Sequence, residues 1–297
     1  MSKKYKDTGL YAVVLGGSSG IGLATVQKLA NEGFNIISIY KERRSKVEEL
    51  EAIFQKIRQQ GNVVLTYNMD VLKKETVDTI VSDISSKIGS KRIKLLLHSI
   101  ASGNLKPLRI EEKGAEGKEQ GEPENDVTHL FSQLKQKTIE QQKFNKRLSI
   151  EDFNYTINAM ATSLLDWSNA FLDNELFSNN ARIIGLTSEG NKKVWKGYAA
   201  ISSAKAVLES LVQHMALEYA PFGITANIIQ AGVTDTPSFR LIPGSDILKA
   251  SSISRNPFSR LTTPEDIANT IYLLSRDEAS WINGTTIVAD GGEHLCP

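Results

Sequence analysis

Short runs of β-branched and aliphatic residues alternate along this chain with longer stretches in which apolar positions recur every three or four residues. The short runs, Tyr11–Leu15, Phe34–Tyr40, Asn62–Met69, Ile93–His98, Ala181–Leu186, Thr225–Gln230 and Thr285–Val288, read as strands. The longer stretches read as helices over Gly20–Glu32, Ser45–Gln60, Lys74–Ile88, Ile150–Leu176 and Tyr198–Tyr219. Apolar strands separated by amphipathic helices imply βαβ crossovers, because parallel neighbours need long connections. The expected fold is α/β: a doubly wound parallel sheet of about seven strands, covered by helices on both faces, in a single domain. Two helix starts are marked by chemistry. Ser149 with Asp152 has the form of a capping box, and Thr263-Pro264-Glu265-Asp266 joins an N-cap, a first-position proline and an acidic first turn.

One stretch breaks the rhythm. Residues 109–148 open with a charged, glycine-containing segment, Glu111 to Pro123, followed by a helix-like pattern from Thr128 to Arg147. The first half reads as a solvated or disordered insertion, with an ordered lid or partner-binding arm as the other reading.

Composition narrows the partners. The 297 residues, 40% hydrophobic, can bury a full core, and 35 basic against 34 acidic residues leave a net charge of +1. Such balance offers no field for nucleic acid or an anionic membrane, so the expected ligand is a small molecule. The lone Cys296 forms no internal disulfide, no Cys/His cluster has metal-ligand spacing, and no segment approaches transmembrane length. The basic N-terminus leads into an apolar run too short for a signal core, and a cytoplasmic location is the expectation.

The first strand runs into Leu15-Gly16-Gly17-Ser18-Ser19-Gly20-Ile21-Gly22-Leu23, a glycine-rich turn that opens the first helix. Glycines there let the backbone approach a dinucleotide pyrophosphate, and the helix N-terminus offers free N–H groups and a favourable dipole. Gly16, Ser18, Ser19, Gly20, Ile21 and Gly22 are therefore candidate cofactor contacts. The same residues match the Gly-x-Ser-x-Gly elbow of hydrolases, but that elbow follows several strands and this turn follows the first. Beyond the second strand, Tyr40-Lys41-Glu42-Arg43-Arg44 sets Lys41, Arg43 and Arg44 around one carboxylate. Cations there favour a 2′-phosphate and hence NADPH, while Glu42 keeps NADH open. Asp70 and Val71, after the third strand, are placed for the adenine. Ser99, Ile100 and Ala101, after the fourth, pass beside the nicotinamide ribose.

Tyr198 and Lys205 stand seven residues apart, two helical turns, so phenol and ammonium share one face with Ile201 between them. A nearby cation is expected to lower the phenol's pKa and make it a better proton donor.

Together these motifs, with Asn158, Ser188, the run Ala231-Gly232-Val233-Thr234-Asp235-Thr236 and Asp290-Gly291-Gly292, resemble the short-chain dehydrogenase/reductase family. The resemblance spans nearly the whole chain outside the insertion and implies a Rossmann-like fold. In most members the catalytic tyrosine lies four residues before the lysine, and here that position is Ile201. A seven-residue spacing is similar to that of enoyl-acyl-carrier-protein reductases, as are His98-Ser99-Ile100-Ala101 and Ala231-Gly232. Features of two branches are mixed. The NADH-type branch with His-Ser-Ile-Ala usually has a second tyrosine where this chain has Ser188. A bacterial NADPH-dependent branch has serine there and an Ala-Ser-Gly turn like Ala101-Ser102-Gly103. Leu15 and Ser19 stand where the family usually has threonine and NADPH enzymes often have a basic residue.

The implied chemistry is hydride addition to C3 of a trans-2-enoyl thioester, in the fatty acid biosynthesis pattern. Charge then gathers on the thioester oxygen, further from the attacked carbon than a ketone oxygen would be. Moving the phenol from position 201 to 198 shifts its anchor about 4.5 Å along the helix axis, a displacement of the right size. By resemblance Tyr198 meets the enolate oxygen and Lys205 holds the ribose hydroxyls, with Gly232, Val233, Thr234 and Thr236 as cofactor contacts. Ser188 is a second oxygen contact or a hydroxyl that satisfies the strand end. Asn158 binds a water in a proton path or caps a distortion in its own helix. His98 and His214 read as structural, and Pro237 to Ser254, with Phe239, Leu241 and Ile242, as an apolar flap over the acyl chain. The implied substrate is an acyl thioester on acyl carrier protein or coenzyme A, and the implied assembly a homotetramer. A carbonyl reductase of the same fold and a non-catalytic NADP-binding regulator remain as rivals.

Overall fold

The computed structural model describes residues 4–110 and 146–296. The insertion readings at 111–145 lie outside the described residues. Seven parallel strands form one sheet in the order β3-β2-β1-β4-β5-β6-β7. They are β1 (Tyr11–Leu15), β2 (Asn35–Tyr40), β3 (Val64–Asn68), β4 (Ile93–His98), β5 (Phe177–Ser188), β6 (Ile224–Ala231) and β7 (Thr286–Ala289). The helices are α1 (Gly20–Asn31), α2 (Arg44–Gln59), α3 (Lys74–Ile88), α4 (Ile150–Ile157), α5 (Ser163–Asp173), α6 (Ala199–Glu218), α7 (Ser245–Arg255) and α8 (Pro264–Ser275). Both predicted capping boxes are formed, at Ser149–Asp152 and Thr263–Asp266.

Alternation along each strand feeds two cores. Val13, Leu96 and Ile183 point to one face and pack with Ile80 and Ile84 of α3, Trp167 of α5 and Leu208 of α6. Val14, Leu97 and Ile184, one residue on, point to the other and meet Leu29 of α1, Phe54 of α2 and Ile271 of α8. The strand order reverses between β1 and β4, which pair Leu15 with His98. A crevice opens at such a reversal, outside the carboxyl ends of the strands.

Most element bounds shift by one or two residues, and two elements differ in a way that bears on the site. β5 runs from Phe177 to Ser188, beyond the predicted Ala181–Leu186, because polar Thr187 and Ser188 are held in the ladder opposite Gln230 and Ala231. The helix predicted over Ile150–Leu176 is divided by a π-turn at Asn158–Thr162, in which the Thr162 hydroxyl donates to Asn158 Oδ1 at 3.0 Å. Asn158 thus sits in its own helix distortion, one of its two expected roles. Among the described residues no helix is long and apolar enough to cross a membrane.

Trp167, fully buried, donates its indole N–H to the Val71 carbonyl at 3.0 Å and so ties α5 to the turn after β3. Trp167→Phe keeps most of the apolar surface but leaves that carbonyl without its donor. A loss of about 1–3 kcal/mol is expected. It will appear as a lower urea midpoint with an unchanged m-value.

Candidate active site

The turn after β1 is shaped by backbone crowding. Gly16 has φ +89°, and a β-carbon there would stand 2.5 Å from the Ser99 carbonyl oxygen. One on Gly22 would overlap the Gly16 carbonyl. Only glycines let the turn, the end of β4 and the first turn of α1 come this close, and the Ser99 N–H donates to the Leu15 carbonyl at 2.8 Å across the same gap. Ser19 is the N-cap of α1, yet its hydroxyl caps nothing, and the first turn, which includes Ile21, carries no acidic residue. The first N–H groups of α1 are therefore open to an anion, which fits a dinucleotide pyrophosphate. Thr236, from the loop after β6, lies over Gly20, its Cγ2 3.0 Å from where a β-carbon would stand.

At the end of β2 the predicted cationic cluster is partly spent. Lys41 donates to Asp70 Oδ2 at 2.8 Å, and this bond holds the Asp70 carboxyl below its ordinary range. Two predicted cofactor contacts thus satisfy each other. Arg43, the N-cap of α2, is exposed, as is Arg44, whose Nε lies 3.9 Å from Glu48. Glu42 turns towards the glycine turn and accepts the Ser18 hydroxyl at 2.9 Å. Val71 packs into the core beneath this edge, and Ala101 is exposed after β4.

The ends of β4 and β5 meet the start of α6. Lys205, buried, donates to the Leu186 carbonyl at 2.6 Å. Burial lowers its pKa to about 8, against the opposing pull of Glu209. His98 is buried beside it and pairs with the Ser163 hydroxyl at 2.9 Å. Burial first, and then the Lys205 charge, push its pKa down to about 3, so the imidazole is neutral, in a structural role. Tyr198 is the N-cap of α6 rather than part of its first turn, with φ −103° and ψ 2°. Its carbonyl already accepts the first helical bond, from the Ser202 N–H at 2.9 Å, so the helical rise used above still applies.

Tyr198 corrects one electrostatic expectation. Its pKa is raised, not lowered: burial outweighs the hydrogen bond from Ser188, and the Lys205 ammonium is committed to Leu186. The phenol stays protonated, a donor by retention of its proton. Its ring packs on Trp195, with centroids 4.0 Å apart, and against Gly190, where a methyl group would overlap it. Ile201 joins Ala159, Met160, Tyr198 and Ala204 in an apolar cluster flanked by Ile100, Leu105 and Ile242.

The loop after β6 closes the other side. Gly232 lies tight against Thr262 and Asp290, the Val233 N–H donates to Glu293 Oε2 at 3.2 Å, and Thr234 forms a parallel bridge with Thr262. In the expected flap, Ile242 reaches the Tyr198 cluster while Leu241 is 76% exposed, so the flap is apolar on only part of its inner side. Arg255, at the end of α7, joins Glu189 at 3.3 Å and buried Glu293 at 2.7 Å. His214 is exposed on α6, 3.9 Å from Glu218.

Sequence reasoning missed Trp195, Glu209, Arg255 and Glu293. Glu209 had a readable signal, four residues after Lys205 on the same helix; the Arg255 network joins segments far apart in sequence and had none.

Comparisons with known proteins agree with this architecture. A family model described as short chain dehydrogenase matches residues 10–112, and one described as Enoyl-(Acyl carrier protein) reductase matches residues 135–294. A 1-cyclohexenylcarbonyl-CoA reductase from Streptomyces collinus is 26% identical over 284 residues, 95% of this chain and 85% of that protein. A 3-oxoacyl-[acyl-carrier-protein] reductase from Staphylococcus epidermidis is 24% identical over 284 residues, 96% of this chain and 98% of that protein. A short chain dehydrogenase from Burkholderia cenocepacia, solved in complex with NADP, shares the fold with a TM-score of 0.71 at 22% identity, covering 98% of this chain and 99% of that one. With a glycine turn at the strand reversal, a buried Tyr198–Lys205 pair at the end of β5 and a family model matched over more than half its length, this chain belongs to the short-chain dehydrogenase/reductase family of NAD(P)-dependent oxidoreductases.

Proposed function

We propose that this protein reduces the double bond of a trans-2-enoyl thioester carried on acyl carrier protein, with NADPH as its preferred cofactor. The observation that carries the reading is the pairing of an aliphatic Ile201 with a protonated, buried Tyr198. Position 201 offers no proton to a carbonyl one turn into the helix. The only phenol in the apolar cluster is three residues earlier, at the N-cap, where it reaches an oxygen further along a conjugated chain.

A bound dihydronicotinamide supplies hydride; the remaining work falls to this chain. The glycine turn and the open N-terminus of α1 receive the pyrophosphate. Lys205 would hold the ribose hydroxyls, as the family resemblance implies, and add positive potential as charge develops on the thioester oxygen. Tyr198 donates its hydrogen bond to that oxygen, and the Ser188 hydroxyl, beside the phenol, orients it. Leu105, Trp195 and Ile242 around the cluster keep water from the enolate. The name of the Streptomyces relative describes a substrate with its double bond conjugated to a thioester carbonyl, which supports the same class here. A homotetramer is part of the reading: Leu273, Trp281 and Val288, exposed on and before the edge strand β7, are apolar surface it would cover.

A second reading is ketone reduction, favoured by the Ser188–Tyr198 hydroxyl pair, which can polarise a carbonyl, and by the oxoacyl reductase relative. NADPH preference rests on exposed Arg43 and Arg44; Glu42, turned to Ser18, opposes it.

Crotonyl and acetoacetyl thioesters assayed side by side separate the two reactions, and faster crotonyl turnover is expected. Tyr198→Phe should lower that turnover at least about a hundredfold. Equal rates for the two proteins would overturn the mechanism and favour a non-catalytic binder. Arg43→Ala should reduce the NADPH-to-NADH ratio of kcat/KM by roughly tenfold, the worth of one charge-assisted contact.

Lys205 itself lowers stability. Its pKa is about 8 in the fold against 10.5 in the unfolded chain, so between these values the unfolded state binds the extra proton and stability rises with pH. The rise is on the order of 3 kcal/mol. Lys205→Met should abolish turnover, raise the urea midpoint at pH 7 and remove this pH-dependent increment, seen by comparing unfolding at pH 7 and pH 10.

A further inference from the structure

Helix α6 grips the end of β5 with three side chains spaced along one face. Tyr198 packs against Gly190 just beyond Ser188, Lys205 bonds the Leu186 carbonyl, and Glu209 Oε1 accepts both the Thr187 hydroxyl at 2.6 Å and the Asn191 amide at 2.5 Å. Thr187 and Asn191 flank Ser188 and Gly190, the residues that touch Tyr198. The Glu209 carboxylate is therefore anchored at the corner that carries the candidate active-site hydroxyl, one helical turn beyond the Lys205 ammonium.

We propose that Glu209 is a positioning residue of the active site: a carboxylate anchored one helical turn beyond Lys205 that serves as its counter-charge while fixing the Thr187–Asn191 corner. Lys205 needs such a partner because its own hydrogen bond goes to a neutral carbonyl. From β4 it meets His98, which is neutral, and Tyr198 at the start of α6 keeps its proton. Glu209 brings negative charge here by geometry: it bonds Thr187, the residue after the Leu186 that holds the ammonium, and stands four residues beyond Lys205 on the same helix. A flexible carboxylate would do this poorly, since a buried cation gains most from an anion whose position is already fixed. Two donors, one on the strand end and one on the following turn, hold Glu209 in place.

The inference rests on the proposed role of Lys205 only for its functional meaning; its test needs neither cofactor nor substrate. In protein labelled with 13C at lysine Cε, the Lys205 resonance is the signal missing from Lys205→Met, and its titration is followed by NMR. Glu209→Gln retains an oxygen that can accept from Thr187 and Asn191 but removes the charge. Its Lys205 midpoint should fall by at least about half a pH unit, a threefold change in proton affinity. Thr187→Val keeps the charge and loosens its anchor, and should give a smaller fall in the same direction. Thermal unfolding of each variant checks that the fold is intact. A Glu209→Gln midpoint matching that of wild type would overturn the counter-charge, whatever the melting temperature does. A Glu209→Gln shift with no Thr187→Val shift would overturn the anchor. Either result leaves the enoyl reading to its own assay.

Discussion

A buried ammonium at the carboxyl edge of the sheet is the constraint from which the rest of this site follows. Lys205 is 8% exposed and hydrogen-bonded to a backbone carbonyl, so the fold carries a charge it would be more stable without. Its neighbours are explained by that fact. His98 must be neutral beside that charge and the Glu209 carboxylate favours it, while the Tyr198 phenol keeps its proton because it is buried. A parallel sheet with both faces covered leaves one place where such a group can be dry and still reach a ligand: the crevice where strand order reverses.

The two halves of that crevice are built by opposite means. On the β1 side side chains are absent: Gly16 and Gly22 bring backbone against backbone, and the uncapped N-terminus of α1 presents N–H groups. On the β5 side side chains are crowded in, with Tyr198, Trp195 and Ile201 packed into one apolar cluster. The first half suits an extended anion and the second a partly apolar reactant that must be shielded from water. Loops after β1, β4, β5 and β6 supply the residues, so sheet register sets their relative heights.

Most of the fold was legible because each strand carries a run of β-branched or aliphatic residues and its helices are amphipathic, patterns that survive in a single sequence. The limits lay where polar residues join regular structure. Thr187 and Ser188 extend β5 because β6 pairs with them, which local pattern cannot reveal. The π-turn at Asn158–Thr162 keeps the apolar spacing of a helix nearly intact, so the long helical pattern from Ile150 concealed it. In the site, residue types and spacing identified Tyr198, Lys205 and the glycine turn, but not which cation is free. Lys41 reads as a phosphate ligand until Asp70, a neighbour only through the β2–β3 crossover, is seen to take its charge. The direction of the Tyr198 pKa was misread for a related reason: burial is a property of the folded neighbourhood, and here it exceeds the effect of a charge whose ammonium points elsewhere.

The extension of β5 also supplies the frame against which the place of the phenol along α6 is set. Ser188 pairs with Ala231 at the last rung of the β5–β6 ladder, so its hydroxyl and the loop carrying Val233 and Thr234 are fixed relative to each other by backbone hydrogen bonds. Helix α6 is fixed to the same strand end by Lys205 and Glu209. Against that rigid frame the phenol's position along α6 is the remaining variable. Set at the N-cap, it stands above Ile201 and Ala204 of the same helix, which with Met160 of the π-turn form an apolar wall. In the proposed enoyl reaction that wall would lie beside the attacked carbon and the donor further out, whereas ketone reduction would need the donor beside it.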